Sequence, residues 1–162
     1  MSERAITELA RRLGPCCKRR GVMVATAESC TGGGVAQAIT RIAGSSEWFE
    51  RGFVTYTNAA KEEMLGVARA TLDARGAVSE EVASEMATGA LAHSRAGVSV
   101  AVTGVAGPGG GSREKPVGLV WLAWTHRGGP VQVRRFVFAG DRAAVRAQSV
   151  AVALQGLIDL LR

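Results

Sequence analysis

Apolar positions along the chain follow two different periods, and their order predicts alternating helices and strands. Residues 3–20 repeat apolar side chains at helical spacing, with arginines between them, and Gly21 follows as a stop. Residues 22–27 and 98–103 are instead short, continuous apolar runs, which are typical of strands buried on both faces. The pattern therefore predicts a sheet that is covered by helices.

The rest of the chain continues this alternation. The predicted helices cover residues 33–43, 58–66, 79–95 and 142–161, and the remaining predicted strands cover residues 48–57, 117–126 and 131–138. Five strands and about five helices predict a three-layer α/β/α sandwich with a mixed, mainly parallel five-stranded sheet, in which the last two strands form an antiparallel hairpin. We expect one domain over residues 1–162, because roughly 100–200 residues form one domain.

Composition excludes several classes of protein. Hydrophobic residues make up 47% of the chain and charged residues 21%, which are ordinary globular values and exclude a disordered chain. No apolar run is long enough for a membrane helix, and the first residues do not resemble a signal peptide, so we expect a cytoplasmic protein without membrane contact. The three cysteines and two histidines show no metal-ligand spacing, so no metal site is expected.

The formal charge of +6 is a weak indication of nucleic-acid binding. Six basic and two acidic residues fall within residues 1–20, so most of the excess charge belongs to one helix. Aromatic residues are only 5% of the chain, which leaves little surface on which bases could stack. DNA binding stays an alternative, but we do not expect a nucleic-acid partner. We expect the protein to form a homo-oligomer.

A first candidate site follows the first buried strand. In Glu28-Ser29-Cys30-Thr31-Gly32-Gly33, hydroxyl side chains stand at a strand end and glycines open a helix. Backbone N–H groups in such a turn can hold an anion or a developing oxyanion. Ser29 is therefore a candidate nucleophile and Thr31 a candidate substrate contact. The alternative is that Ser29 or Thr31 only caps the helix. Cys30 could be the nucleophile instead of Ser29, or simply a small buried thiol.

A serine nucleophile needs a base, and lysine is the better candidate here. Neither His93 nor His126 is predicted beside a strand end with an acidic partner. Seventeen of the twenty basic residues are arginine, so each of the three lysines is either drift or a residue with a task that arginine cannot perform. A desolvated lysine can take a serine proton, and Lys61 lies in the first turn of a predicted helix, whose dipole lowers its proton affinity.

Two neighbours of Lys61 complete this hypothesis. Asn58 is predicted to cap the helix. Tyr56, the only tyrosine, could donate its hydroxyl proton to Lys61 or relay a proton. The alternative is that Tyr56 packs within the sheet while Lys61 pairs with Glu62, Glu63 or solvent.

A second candidate site is the glycine-rich loop over residues 103–111. Its glycines permit a ligand to approach the backbone, and its N–H groups could hold a phosphate. Arg113, Lys115 or Arg142 would supply positive charge. The alternative is a flexible connection between strands.

Four motifs, taken together, resemble the CinA C-terminal domain family of the PncC nicotinamide-nucleotide amidase type. The motifs are Ala27-Glu28-Ser29-Cys30-Thr31-Gly32-Gly33, residues 52–61 (GFVTYTNAAK), Gly76-Ala77-Val78-Ser79, and Thr103-Gly104-Val105-Ala106-Gly107-Pro108 with Lys115-Pro116-Val117-Gly118. Thr57 and Ser112 depart from the usual family residues but keep a hydroxyl. The resemblance extends over residues 5–160.

This resemblance implies an α/β/α fold and hydrolysis of the carboxamide of nicotinamide mononucleotide, without a metal or an organic cofactor. It implies Ser29 as nucleophile, Lys61 as base and Tyr56 as an assisting residue. We expect the substrate or its oxyanion to be bound by Glu28, Cys30, Thr31, Gly32, Gly33, Asn58, Thr103, Gly104, Ala106, Gly107, Gly109, Gly110 and Arg142. The principal alternative function is a non-catalytic module that binds nucleotides or proteins.

Overall fold

The computed structural model describes all of residues 1–162. Six α-helices and five β-strands alternate along most of the chain. In chain order they are α1 (Glu3–Arg20), β1 (Val24–Glu28), α2 (Gly34–Thr40), β2 (Phe49–Val54), α3 (Asn58–Leu65), α4 (Arg69–Arg75), α5 (Glu80–Ala92), β3 (Val98–Gly104), β4 (Leu119–His126), β5 (Gln132–Val137) and α6 (Arg142–Leu160).

The strands form one mixed sheet in the order β2-β1-β3-β4-β5. β1 pairs in parallel with β2 and β3, whereas β4 is antiparallel to β3, and β5 is antiparallel to β4. Four strands therefore point in one direction and only β4 runs against them, which confirms the mixed, mainly parallel sheet. Glu28 lies opposite Val102 in the β1–β3 pair, so the segments that follow these strands leave the sheet side by side.

Helices cover both faces of the sheet, which confirms the three layers. α1, α2 and α6 pack on one face, and α5 packs with α3 and α4 on the other. Alanines make up much of the sheet surface beneath α5, namely Ala25, Ala27, Ala101 and Ala123. A side chain at Gly89 of α5 would lie 2.0 Å from the Leu65 carbonyl oxygen, so α3 is held close against α5.

Most predicted elements differ from the observed ones by one to three residues at an end, and three differences have an identifiable cause. α4 is an additional helix, which the sequence did not indicate because Ala68 offers no capping side chain and Leu72 is the only buried residue. The prediction of Asn58 as helix cap is wrong: the Thr57 hydroxyl accepts the N–H of Ala60 (3.0 Å), and Asn58 is the first helical residue. β1 continues through Glu28, because this carboxylate is buried within the fold.

None of the helices combines the length and apolar character that are needed to cross a bilayer.

Candidate active site

A cavity of about 310 Å³ opens at the carboxyl ends of β1 and β3. Its walls come from the turn after β1, the connection between β2 and α3, the segment before α5, the loop after β3 and the start of α6. The lining residues are Ser29, Cys30, Tyr56, Lys61, Ala77, Val78, Thr103, Gly104, Val105, Ala106, Gly107, Gly109, Gly110 and Arg142. The cavity therefore brings together both loops that the sequence singled out.

Ser29 is fixed at the edge of the sheet. It is the first residue after β1, and its N–H donates to the Val102 carbonyl of β3 (2.9 Å), which extends the strand pairing by one residue. The chain then turns, and the N–H of Gly32 donates to the Ser29 carbonyl (3.0 Å). Gly32 and Gly33 have φ of +57° and +101°, a left-handed backbone that glycine adopts without steric cost. The turn leaves the Ser29 side chain at the cavity with 9% of its surface exposed.

Glu28 holds this turn from behind. Its buried carboxylate accepts hydrogen bonds from the Thr31 hydroxyl (2.6 Å) and from the backbone N–H groups of Val35 (2.8 Å) and Ala36 (3.1 Å). These are N–H groups of the first turn of α2, which have no partner within the helix. Glu28 therefore anchors the start of α2, and Thr31 is occupied by Glu28 rather than placed on the cavity wall.

Lys61 is the base candidate, and its ammonium group contacts the Ser29 hydroxyl. α3 begins beside the end of β2 and directs Lys61 back beneath the sheet edge, where its side chain is 1% exposed. The Nζ atom lies 3.0 Å from the Ser29 Oγ, 2.8 Å from the Thr55 carbonyl oxygen and 3.4 Å from the Tyr56 carbonyl oxygen. The alternative pairing of Lys61 with Glu62 is wrong, since Glu62 pairs with Arg69.

Burial shifts the protonation of Lys61. It lowers the pKa of the Lys61 ammonium from 10.5 to about 8, and the only opposing influence is Cys30. Lys61 makes no ion pair, so no carboxylate offsets the cost of removing the ammonium from water. The neutral amine is therefore accessible near neutral pH, as a general base requires.

Tyr56 and Arg142 form a bridge across the cavity mouth. The guanidinium of Arg142 donates to the Gly107 carbonyl (2.8 Å) and to the Tyr56 hydroxyl (3.0 Å). Tyr56 is 60% exposed, and its hydroxyl makes no bond with Lys61, because the side chain points outward from the strand end. The expected hydrogen bond between the Tyr56 hydroxyl and Lys61 is thus replaced by one with Arg142.

The loop after β3 forms the opposite wall of the cavity. Thr103 anchors its beginning, because its hydroxyl donates to the Ala77 carbonyl (2.9 Å). Ala106 and Gly107 are buried, yet their backbone N–H groups have no acceptor within the protein. Buried N–H groups are nearly always hydrogen-bonded, so these two donors indicate where a polar group of a ligand is held.

A second set of free donors surrounds the serine. The N–H groups of Cys30 and Thr31 have no acceptor, although both residues are buried. Gly33 is also free, whereas the N–H of Gly32 is occupied by the Ser29 carbonyl. The expectation that Gly32 donates to an oxyanion therefore does not fit the turn. Thr31 is fully buried and does not line the cavity, so the free donor on the cavity wall beside the serine is the Cys30 N–H.

Most of the predicted site residues line the cavity, but five do not. Glu28, Thr31, Gly32 and Gly33 shape the turn behind the serine, and Asn58 is exposed at the start of α3. Ala77, Val78 and Val105 line the cavity and were not chosen, because small apolar residues carry no chemical signal. Only their position inside two of the recognised motifs could have indicated them.

Two other candidates have structural partners. The ammonium of Lys115 donates to the Arg75 carbonyl at the end of α4, so this lysine closes the loop instead of facing the cavity. Cys30 lines the cavity, and burial raises the pKa of its thiol to about 11. A thiol that stays protonated is a poor nucleophile, and the base candidate Lys61 contacts the Ser29 Oγ, so the arrangement favours Ser29 over Cys30. No group of three or more His, Cys, Asp or Glu side chains is arranged to hold a metal ion.

Comparison with known proteins agrees with this geometry. Residues 6–161 match the family described as the CinA C-terminal domain. The chain is 57% identical over 155 residues to nicotinamide-nucleotide amidohydrolase PncC of Pseudomonas putida, covering 96% of each protein. It is 55% identical over 157 residues to the protein of the same name from Escherichia coli strain K12, covering 97% of this chain and 95% of that protein.

The same likeness holds for a solved structure. The crystal structure of competence/damage inducible protein CihA from Agrobacterium tumefaciens superposes with a TM-score of 0.95 at 54% identity, covering 98% of this chain and 96% of that one. The resemblance that rests on the four motifs is confirmed by these matches. Agreement in sequence and fold along almost its entire length shows that the chain belongs to the CinA C-terminal domain family.

Proposed function

We propose that this protein hydrolyses the carboxamide of nicotinamide mononucleotide to nicotinate mononucleotide and ammonia. Its relatives at 55–57% identity are named nicotinamide-nucleotide amidohydrolases, and they are covered almost completely by this chain. The observation that carries the proposal is the buried contact of 3.0 Å between the Lys61 Nζ and the Ser29 Oγ. It supports acyl transfer with serine as nucleophile and lysine as base.

The surroundings of Lys61 set the direction of the proton. The carbonyls of Thr55 and Tyr56 can only accept hydrogen bonds, so a neutral amine directs its two N–H groups at them. Its lone pair is then left for the Ser29 hydroxyl, which donates to Nζ. This arrangement supports removal of the hydroxyl proton by Lys61 as Oγ attacks the amide carbon.

The oxyanion that forms needs donors at a fixed position. The unoccupied N–H group of Cys30 lies on the cavity wall, in the turn that immediately follows the nucleophile. Donors that are preorganised in a dry site stabilise the developing charge more than water does, and each is worth roughly 10²- to 10³-fold in rate. We assign the Cys30 N–H to the oxyanion.

Lys61 also supplies the proton for the leaving group. When the C–N bond breaks, the Lys61 ammonium gives its proton to the departing nitrogen, which leaves as ammonia. Water then attacks the acyl-enzyme, Lys61 takes one water proton, and this proton returns to the Ser29 oxygen as nicotinate mononucleotide departs. The Tyr56 hydroxyl accepts a hydrogen bond from Arg142 instead of contacting Lys61. We therefore assign protonation of the leaving group to Lys61 rather than to Tyr56.

The nucleotide part of the substrate is assigned to the other wall of the cavity. The free N–H groups of Ala106 and Gly107, with Gly109 and Gly110 beyond them, offer donors for phosphate or ribose oxygens. Arg142 adds a positive charge beside Gly107. A non-catalytic nucleotide-binding module could use this loop equally well. Such a module would not need a buried lysine that lacks an ion pair and contacts a serine hydroxyl.

The test is ammonia release from three compounds: nicotinamide mononucleotide, its riboside and free nicotinamide. The wild-type protein should prefer the mononucleotide by kcat/KM, because remote binding interactions orient the reacting amide. The Ser29→Ala variant should release no ammonia from any of them. Absence of release by the folded wild-type protein would contradict the proposed activity. A cytoplasmic location and a homo-oligomer stay predictions.

A further inference from the structure

Arg146 reaches the serine turn from a distant part of the chain. It lies in the second turn of α6, and its Nε donates to the Cys30 carbonyl (3.1 Å) while its Nη2 donates to the Thr31 carbonyl (3.2 Å). Arg146 makes no ion pair. Its guanidinium is therefore committed to these two consecutive carbonyls.

Holding the Cys30 carbonyl fixes the orientation of the peptide unit that follows Cys30. This peptide is planar, so one hydrogen bond to its carbonyl restrains the whole unit. Cys30 is thereby held next to the nucleophile, on the cavity wall, where its own N–H has no acceptor.

The next peptide is fixed in the same way. It carries the Thr31 carbonyl, which Arg146 also holds, and the Gly32 N–H, which donates to the Ser29 carbonyl (3.0 Å). The Thr31 carbonyl also accepts the Gly34 N–H (2.9 Å), so three hydrogen bonds prevent this peptide from rotating. The turn therefore keeps Gly32 occupied and leaves Cys30 as the free donor on the cavity wall.

Arg146 acts from outside the active-site cavity. It lines an adjoining cavity of about 650 Å³, which shares Ala106 and Arg142 with the active-site cavity. Arg146 itself is absent from the walls around Ser29 and Lys61. It can therefore affect the reaction through the turn without touching the substrate. Its positive charge also polarises both peptides, and a carbonyl that accepts a charged donor makes the N–H on the same peptide a stronger donor.

We infer that Arg146 is a positioning residue, which holds the turn after Ser29 so that the Cys30 N–H stabilises the oxyanion. This inference rests on the proposed amidase function. It assigns a role in the reaction to a residue that is remote in sequence, since Arg146 lies 115 positions after Thr31.

Arg127 provides a matched control. Its Nη2 likewise donates to backbone carbonyls, those of Leu91 (2.8 Å) and Ala96 (2.7 Å), but it lies at the β4–β5 hairpin and outside the active-site cavity. Replacing either arginine by glutamine removes a carbonyl clamp. Only the Arg146 substitution removes the clamp from the serine turn.

The experiment compares Arg146→Gln, Arg146→Ala, Arg146→Lys and Arg127→Gln with the wild-type protein. Ammonia release from nicotinamide mononucleotide gives kcat and KM, and the rate at which a fluorophosphonate labels Ser29 reports oxyanion stabilisation independently of the substrate. We expect Arg146→Gln and Arg146→Ala to lower kcat and the labelling rate by roughly 10- to 100-fold, with KM within about twofold, since small misplacement at a reacting centre costs up to about 100-fold.

Two further measurements separate positioning from stability. Millimolar guanidinium should restore part of kcat in Arg146→Ala, because Arg146 faces a cavity that is open to solvent. Guanidinium should have no effect on Arg127→Gln. This variant should keep the wild-type kcat even if its melting temperature falls as far as that of Arg146→Ala. Arg146→Lys should lie between the wild type and Arg146→Gln, since lysine keeps the charge but lacks the planar fork that holds two consecutive carbonyls in one geometry.

The outcomes for the two proposals are distinguishable. If the wild type releases ammonia and Arg146→Gln keeps both kcat and the labelling rate, the positioning role is wrong and the amidase function stands. If the wild type releases no ammonia but Arg146→Gln slows labelling of Ser29 and Arg127→Gln does not, the amidase function is wrong and the positioning role stands. A rise in KM alone would also overturn the positioning role, because it would indicate contact with the substrate.

Discussion

The Lys61 Nζ lies 3.0 Å from the Ser29 Oγ, although the two residues are 32 positions apart in the chain. Three elements create this contact: β1 ends just before Ser29, β2 runs parallel beside β1, and α3 follows β2 after a connection of three residues. Thr55 and Tyr56 in the connection then accept the other hydrogen bonds of the amine. The pairing of two parallel strands thus places the base on the nucleophile.

Lys61→Arg should lower kcat/KM by roughly 10²- to 10⁴-fold while the fold is retained, because a guanidinium cannot release its proton. In the wild type, kcat/KM should fall tenfold for each pH unit below the pKa of about 8, where the amine becomes protonated. Lys18→Arg is the matched control, since Lys18 is exposed and pairs with Glu47. A folded Lys61→Arg protein with wild-type activity would eliminate Lys61 as the base.

Burial of Lys61 should also make stability depend on pH. Its pKa is about 8 in the folded chain against 10.5 ordinarily, so between these values the unfolded chain binds more protons, and the free energy of unfolding rises with pH. At about 1.4 kcal/mol per pKa unit, the total rise is roughly 3 kcal/mol, and it is absent below pH 8 where both states are protonated.

This rise should be measured as a difference between the wild type and Lys61→Met. Burial raises the thiol pKa of Cys17 to about 12 and that of Cys30 to about 11, so both thiols lower stability above pH 9, where the unfolded chain ionises them. Their contribution cancels in the difference. Urea unfolding of both proteins at pH 7 and at pH 10 gives four free energies of unfolding. If the difference between wild type and Lys61→Met is the same at both pH values, the Lys61 pKa is not lowered.

Ser29→Ala should abolish ammonia release, whereas Cys30→Ala should retain most of it. The raised pKa keeps the Cys30 thiol protonated, and its side chain contributes no hydrogen bond to the turn. Mass spectrometry of the protein trapped with a slow acylating substrate should place the acyl group on Ser29. An adduct on Cys30 would reverse the assignment of the nucleophile.

Arg142→Met should raise KM for nicotinamide mononucleotide by roughly 10- to 100-fold, which corresponds to loss of a charge-assisted hydrogen bond. KM for the riboside, which carries no phosphate, should change much less. Arg113→Met is the control, since Arg113 is exposed and absent from the cavity walls. Equal increases in KM for both compounds would show that Arg142 does not bind the phosphate.

Glu28→Gln should lower the free energy of unfolding by about 2–3 kcal/mol, because a buried carboxylate that accepts three hydrogen bonds is replaced by an amide whose NH2 would face donors. Glu63→Gln, at an exposed position of α3, should have almost no effect. Urea unfolding measures both. A Glu28→Gln protein as stable as the wild type would show that its carboxylate does not anchor α2.

The sequence by itself determined the order of elements, the mixed sheet, the two loops of the cavity and the family. These follow from short-range information: apolar periodicity, glycines at turns, and motifs whose residue types stand in a fixed order. Ser29 and Lys61 were chosen in the same way, from the shortage of other bases and from the rarity of lysine.

Only the tertiary structure decided what each of these side chains contacts. Glu28 and Thr31 belong to one motif with Ser29 but bond to each other behind it, and Lys115 closes a loop against Arg75. The Tyr56 hydroxyl meets Arg142, and Arg146 holds the serine turn from the last helix. A motif fixes which chemical groups are present, but a side chain's direction and partner depend on segments that are far apart in the chain and are brought together by packing.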